Sequence, residues 1–183
     1  ELLTEASPVR PASVYAETKL EAERHVTRCA REGKVDAVVA RAFNHTGPGQ
    51  ASDYVCSDLA RQAAAISLRL APPLIVGGNV DVTLLDHAPT GEVYNVCSGR
   101  GVLLRDAVDK LLKWSGRIAQ FASDPRRLRP HDPHRIIGSA SKLEALTGWR
   151  AEVSFDTTLR DLFDNWHTEM RARRQAATRR PTE

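Results

Sequence analysis

Tyr15 and Lys19 stand four residues apart in the run Tyr15-Ala16-Glu17-Thr18-Lys19. On a helix that spacing puts them on one face, one turn from each other. A phenol titrates near pH 10 in water, too high for easy proton transfer at neutral pH. An ammonium close by favours the phenolate, so the pair could serve as acid or base beside an alcohol or ketone. Taken alone, the same spacing more often describes a surface tyrosine lying on a lysine stem. Asn44 and His45 open a second run, Asn44-His45-Thr46-Gly47-Pro48-Gly49-Gln50, directly after the apolar stretch Val35 to Phe43. If that stretch is a buried parallel strand, the two polar residues lie at its C-terminal end, where α/β sheets bind ligands. The alternative is that Asn44 caps a turn and His45 is an ordinary surface group. Arg129 belongs to a basic loop with Arg126 and Arg127. A guanidinium fork suits a diphosphate because it binds two oxygens at once, and a merely solvated basic loop is the competing reading. His131 and Asp132 have no second ligand pair at metal-binding spacing.

The elements that must hold these residues follow from pattern. Glu1 to Ala12 carries Pro8 and Pro11 and reads as a loop, with Ser13 the N-cap of a helix running to about Arg31. Ala22, Val26, Cys29 and Ala30 are its expected buried stripe, and Gly33 ends it. The Asn44–Gln50 run must be a loop, given two glycines and a proline. A helix from Asp53 to Leu70 and strands over Pro73–Val76 and Val93–Val96 follow, while residues 77–87 show no clear period. Leu103–Trp114 predicts an amphipathic helix with Leu104, Val108, Leu111 and Leu112 inward. Ile118–Ala122 reads as a strand. Ser139 or Ser141 caps a short helix ending at Gly148-Trp149, and a last helix spans about Asp156–Met170. Trp149, Trp114 and Trp166 read as packing residues. Strands alternating with helices predict an α/β fold with a parallel sheet and a mostly helical end.

Composition narrows the class. The chain has 183 residues, 42% of them apolar, which suits one soluble domain and is too few for two large ones. The formal charge is +3 and the isoelectric point about 8.9. Much of that excess lies in Arg171, Arg173, Arg174, Arg179 and Arg180, a basic tail expected to be disordered and solvated. No aromatic or glycine interleaving supports a nucleic-acid arm. Cys29, Cys56 and Cys97 lie far apart in apolar stretches, as buried reduced thiols of a cytoplasmic protein would. No run has membrane-spanning length and no signal peptide opens the chain.

Four motifs, in order, resemble the extended short-chain dehydrogenase/reductase family that acts on nucleotide sugars. Pro11-Ala12-Ser13-Val14-Tyr15-Ala16-Glu17-Thr18-Lys19 is similar to its catalytic helix start, and Arg41-Ala42-Phe43-Asn44-His45-Thr46-Gly47-Pro48-Gly49-Gln50 to the loop after its sixth strand. Glu92-Val93-Tyr94-Asn95-Val96-Cys97-Ser98-Gly99 resembles its E-x-Y-N-V-x-S-G strand. Leu128-Arg129-Pro130, Ile137-Gly138-Ser139 and Leu146-Thr147-Gly148-Trp149 resemble its sugar-nucleotide domain. The resemblance implies a C-terminal part of a Rossmann-type parallel sheet plus a smaller, mostly helical substrate domain. Residues 1–50 would belong to the dinucleotide-binding part, 51–170 mainly to the substrate domain with returning Rossmann segments, and 171–183 to the tail. It implies Tyr15 as proton donor and Lys19 as its partner and nicotinamide-ribose ligand. It further places His45 near the nicotinamide, Asn44 near the sugar or its diphosphate, and Arg129 on the diphosphate. The cofactor would be NADP or NAD and the substrate a GDP-sugar, in a homodimer built on the Tyr15 and Asp53 helices. Thr46-Gly47-Pro48-Gly49 after Asn-His favours the GDP-4-keto-6-deoxy-D-mannose reductase subgroup, which forms GDP-D-rhamnose, over the GDP-mannose 4,6-dehydratases or another epimerase/dehydratase. A non-catalytic remnant is the alternative from another class.

Two departures qualify the resemblance. The glycine-rich strand–turn–helix that holds a dinucleotide pyrophosphate does not occur in the chain. It would take on the order of a hundred residues before Glu1, and would also carry a Ser or Thr partner and the NAD-or-NADP selector. After Thr83, Leu84-Leu85-Asp86 replaces the Arg-Asp pair and helix that the family pattern has there. Residues 1–183 alone are therefore expected to bind no dinucleotide, and tight NADPH binding in a fluorescence titration would contradict this.

Overall fold

The computed structural model describes residues 2–11, 13–37, 39–42, 45–77, 93–127 and 137–178. In chain order the elements are β1 (Leu2–Leu3), α1 (Val14–Arg31), β2 (Val39–Ala42), α2 (Val55–Ser67), β3 (Leu74–Gly77), β4 (Val93–Val96), α3 (Leu104–Trp114), β5 (Gln120–Ser123), a 3-10 turn (Pro125–Arg127), β6 (Ile137–Gly138), α4 (Ser141–Thr147) and α5 (Phe155–Thr178). The strands pair two by two and always in parallel: β1 with β6, β2 with β4, β3 with β5. Parallel pairing between strands separated by helices is what the alternating pattern predicts. The chain divides into two compact units: Glu1–His45 with Thr83–Gly101 and Pro133–Glu152, and Thr46–Val82 with Val102–Asp132 and Val153–Glu183.

In the first unit, Ser13 starts α1 as its sequence predicts, its Oγ accepting the Ala16 N–H at 3.2 Å. The helix runs to Arg31, but its expected apolar stripe is not buried. No α1 residue is, Ala22 is exposed, and Val26, Cys29 and Ala30 are half-buried. Periodicity reports which side of a helix is apolar, not whether a partner covers it. Val39 pairs with Val93 and Arg41 with Asn95 across β2 and β4. Asn95 is buried, and its side-chain amide donates to the Leu3 carbonyl at 3.1 Å. The same carbonyl accepts the Ser139 N–H at 2.9 Å, so β1 is tied to both β4 and β6. Lys142 of α4 donates to the Val93 carbonyl at 2.9 Å, with its ammonium 4.4 Å from the Tyr94 ring centroid. α4 ends on Gly148 at φ +71°, the left-handed conformation glycine adopts without a Cβ penalty. Neither serine caps α4 as expected: its N-cap is Ala140, without a side-chain bond. Trp149, expected in the core, is 39% exposed.

The second unit holds a conventional apolar core. α2 buries Cys56, Leu59, Ala60, Ala63, Ala64, Ala65 and Ile66, so small side chains let neighbouring elements approach it on several sides. α5 contributes Leu159, Leu162 and Phe163 at i, i+3 and i+4. α3 contributes Leu104, Ala107, Val108 and Leu111, whereas Leu112, expected inward, is half-buried. Each fully buried Leu or Ile here stabilises by about 1.5–3 kcal/mol. Ile118, expected in a strand, is 99% exposed, and β5 starts at Gln120. Burial pushes the Cys56 thiol up to about 12. Cys97 is also buried and Cys29 only half-buried; all three remain thiols.

Ser154 precedes α5, its Oγ accepting the Thr157 N–H at 3.0 Å, and the helix continues past Met170 through Thr178. Arg171, Arg173 and Arg174, expected in a disordered tail, are thus helical and exposed. Strong helix formers without glycine or proline carry the helix on. Arg173 pairs with Glu169 one turn back, and Arg174 donates to the Leu68 carbonyl at 3.3 Å. No described helix is long and apolar enough to cross a membrane.

One polar network runs through this core. Asp58 accepts from Arg61 (Nη2, 2.5 Å), Gln62 (Nε2, 2.9 Å) and Arg127 (Nη1, 2.8 Å), with its side chain 12% exposed. Gln62 also accepts the Val76 N–H at 2.8 Å and donates to the Val76 carbonyl at 2.9 Å, a side-chain substitute for a strand partner on β3. Burial pushes the Asp58 carboxyl up, but hydrogen bonds and charge from Arg127 and Arg61 more than reverse this and hold it below the usual range. Asp58 therefore contributes stability above its unfolded value near pH 3.9, lost as pH falls through its lower folded value. Asp58→Asn is expected to destabilise by about 2 kcal/mol at pH 7 and to shrink the acid-side loss of stability in a urea series at pH 2–7. Leu162→Ala is expected to cost about 2–5 kcal/mol in the same assay at pH 7.

Candidate active site

The first two turns of α1 present Tyr15 and Lys19 on the same side, as their spacing predicts. The Lys19 Nζ lies 5.4 Å from the Tyr15 ring centroid, and both side chains are exposed, Tyr15 by 71%. A phenolic hydroxyl and an ammonium are thus held together at the surface by backbone helix geometry rather than by side-chain packing. Thr18 is exposed as well, its hydroxyl donating to the Tyr15 carbonyl at 2.8 Å. Such a pair can give a proton to an oxygen that gains negative charge.

His45 follows β2 in the same unit and is exposed. Asn44, Arg129, His131 and Asp132 lie outside the described residues, as does most of the patternless 77–87 segment. The rest of the glycine-rich loop forms a tight turn. The Gln50 N–H reaches the Gly47 carbonyl at 3.2 Å, and Gly49 takes φ +84°, where a side chain would be strained. Its end is pinned by a relay in which the Trp166 indole N–H donates to Ser57 Oγ (2.9 Å) and Ser57 donates to the Gln50 carbonyl (2.6 Å). Trp166 and Trp114 do pack, the latter against Phe163 at 6.3 Å between centroids.

Both described arginines of the basic loop, Arg126 and Arg127, are held by carboxylates. Arg126 makes a two-bond contact with Asp124, Nε to Oδ1 and Nη2 to Oδ2, each 3.0 Å. Arg127 is drawn to Asp58. Asp124, with Arg126 bonded to its side chain, titrates below the usual carboxylate range.

Sequence reasoning missed the residues around the pair. Arg41 donates Nε to Glu23 Oε2 at 2.8 Å and Nη2 to Glu23 Oε1 at 2.6 Å. Glu5 accepts the Asn95 N–H at 2.5 Å. The Glu23 carboxylate, against burial and with help from Glu5, holds the Arg41 guanidinium further toward its charged form. Glu23 was findable in principle: it is the next residue at four-residue spacing after Tyr15 and Lys19. Nothing local marks Arg41 as its partner.

Comparison with known proteins adds likenesses. A sequence-family model described as GDP-mannose 4,6 dehydratase matches residues 1–85. GDP-6-deoxy-D-mannose reductase of Pseudomonas aeruginosa is 32% identical over 179 residues, covering 88% of this chain and 58% of that protein. Among solved structures, RMD from Pseudomonas aeruginosa complexed with NADPH superimposes with a TM-score of 0.79 at 27% identity, over 91% of this chain and 60% of that one. A putative epimerase from Burkholderia cenocepacia follows at 0.73 and 28%, over 91% and 58%. The chain thus spans a little under two thirds of the length of the relatives it matches. The parallel pairing, the helix that carries Tyr15 and Lys19 and these likenesses together give the chain a Rossmann-type α/β fold similar to that of the extended short-chain dehydrogenase/reductases.

Proposed function

We propose that the full-length protein is an NAD(P)-dependent reductase of a GDP-4-keto-6-deoxy-hexose, forming GDP-D-rhamnose. The observation that carries this is the exposed Tyr15–Lys19 pair at the start of α1, in a chain 32% identical to a GDP-6-deoxy-D-mannose reductase. The donor set suits a dinucleotide: an ammonium and a phenol one turn apart can both bond ribose hydroxyls. A bound reduced nicotinamide supplies hydride to the sugar carbonyl carbon. Tyr15 gives its proton to the carbonyl oxygen, where charge develops, and Lys19 stabilises the phenolate left behind. His45 lies beside the cofactor and Asn44 beside the sugar. Arg129 binds the diphosphate, the role implied by the Leu128-Arg129-Pro130 pattern it shares with the family. A homodimer built on α1 and α2 is the expected assembly.

A second reading, a 4,6-dehydratase, is favoured by the description of the matching family model. The two differ in redox balance. The reductase consumes NADPH or NADH with each turnover, whereas a dehydratase converts GDP-mannose to the 4-keto sugar with no net consumption.

Full-length protein is expected to oxidise NADPH in the presence of the GDP-4-keto-6-deoxy sugar, followed at 340 nm. Tyr15→Phe should lower kcat by roughly 100-fold or more, because the transition state loses its proton donor. Wild-type turnover by Tyr15→Phe would sink the mechanism. Conversion of GDP-mannose without cofactor consumption would move the protein to the second reading.

A further inference from the structure

Helix α1 has to present Tyr15 and Lys19 in one direction. Among the described residues a polar contact grips it. Glu23 and Arg41 make two roughly parallel N–H···O bonds, at 2.8 and 2.6 Å, with side chains only 15% and 22% exposed. A fork contact of this kind fixes orientation as well as distance, since both nitrogens must meet both oxygens. Its strand end is rigid. Arg41 lies in β2 opposite Asn95, whose backbone N–H is held by Glu5 and whose side chain is buried against the Leu3 carbonyl.

Glu23 lies four residues after Lys19 and eight after Tyr15. At 3.6 residues per turn these steps leave only roughly 40° and 80° of angular drift, so the three side chains form one stripe along the helix. A hold on Glu23 is therefore a hold on the direction of the other two. Arg41 also stands four residues before His45, so the same anchor fixes the strand from which that loop departs.

We propose that the Glu23–Arg41 ion pair sets the rotation of α1 and that both residues are positioning residues for Tyr15 and Lys19. The catalytic half of this rests on the reductase reading; the mechanical half does not. The two halves are measured separately in full-length protein carrying Glu23→Gln or Arg41→Lys, the second keeping a positive charge beside Glu5. Hydrogen exchange is expected to quicken by roughly 10-fold or more across residues 15–22 in both variants, as the helix loses its hold. With the keto sugar and NADPH, kcat should fall by roughly 10- to 100-fold while KM stays within about 2-fold, the signature of lost alignment rather than lost binding. Leu162→Ala, which weakens the other unit's core, should leave both α1 exchange and kcat unchanged.

Unchanged exchange in α1 overturns the proposal, as does a kcat within about 2-fold of wild type in an active enzyme. Failure of both variants to fold would make the pair a folding element and equally overturn the positioning role. If wild-type protein does not turn over the keto sugar, the reductase reading falls and the exchange result alone decides what the ion pair does.

Discussion

A guanidinium held flat against a carboxylate ties together the parts of the first unit that matter for chemistry. Arg41 belongs to a strand and Glu23 to the helix beside it, and each bonds the other twice. Such a pair is a costly way to join two elements, because both charges lose water. The cost is partly met by geometry and by the second carboxylate nearby, Glu5, which favours the charged guanidinium. What a polar joint provides and an apolar one does not is direction. Grease tolerates rotation; a fork does not.

The second unit solves a related problem with a different balance. Its helices pack on leucine, isoleucine and alanine in the ordinary way, and Asp58 sits among them as a hub for Arg61, Gln62 and Arg127. Gln62 extends the hub to both polar groups of Val76, so β3 has a bonded neighbour on α2 as well as β5. A buried acid satisfied on both oxygens is tolerable, whereas one short of a partner would not be. The same hub holds Arg127 at the end of the 3-10 turn, just where the basic loop begins.

Much of this was legible in the residues. Ser13 announced α1, Gly148 announced the end of α4, and the apolar runs over β2, β3 and β4 were found within a few residues. The Tyr15–Lys19 pairing followed from helix spacing alone. What was hidden depends on partners far away in sequence. No local pattern says that the α1 stripe goes uncovered within its unit, that Leu112 is only half-buried while Ala107 is covered, or that Asp58 waits for Arg127. The charge of the arginines after Met170 predicts a solvated tail, whereas their helix propensity carries α5 through Thr178. Asn44 and Arg129 were named from motif and lie outside the described residues, so their roles rest on sequence.

The pairing of β1 with β6 carries a consequence for how the chain is made. Leu2 and Leu3 meet Ile137 and Gly138, which lie far along the sequence. During synthesis on a ribosome the earlier strand must wait, its edge unpaired, until the later one has emerged. The interleaving of the two units adds to the delay, since neither is a continuous stretch that can close early. Long-range parallel pairing of this kind folds slowly and leaves sticky intermediates. Growth temperature and chaperone supply should therefore govern the yield of soluble protein more than the final stability of the fold.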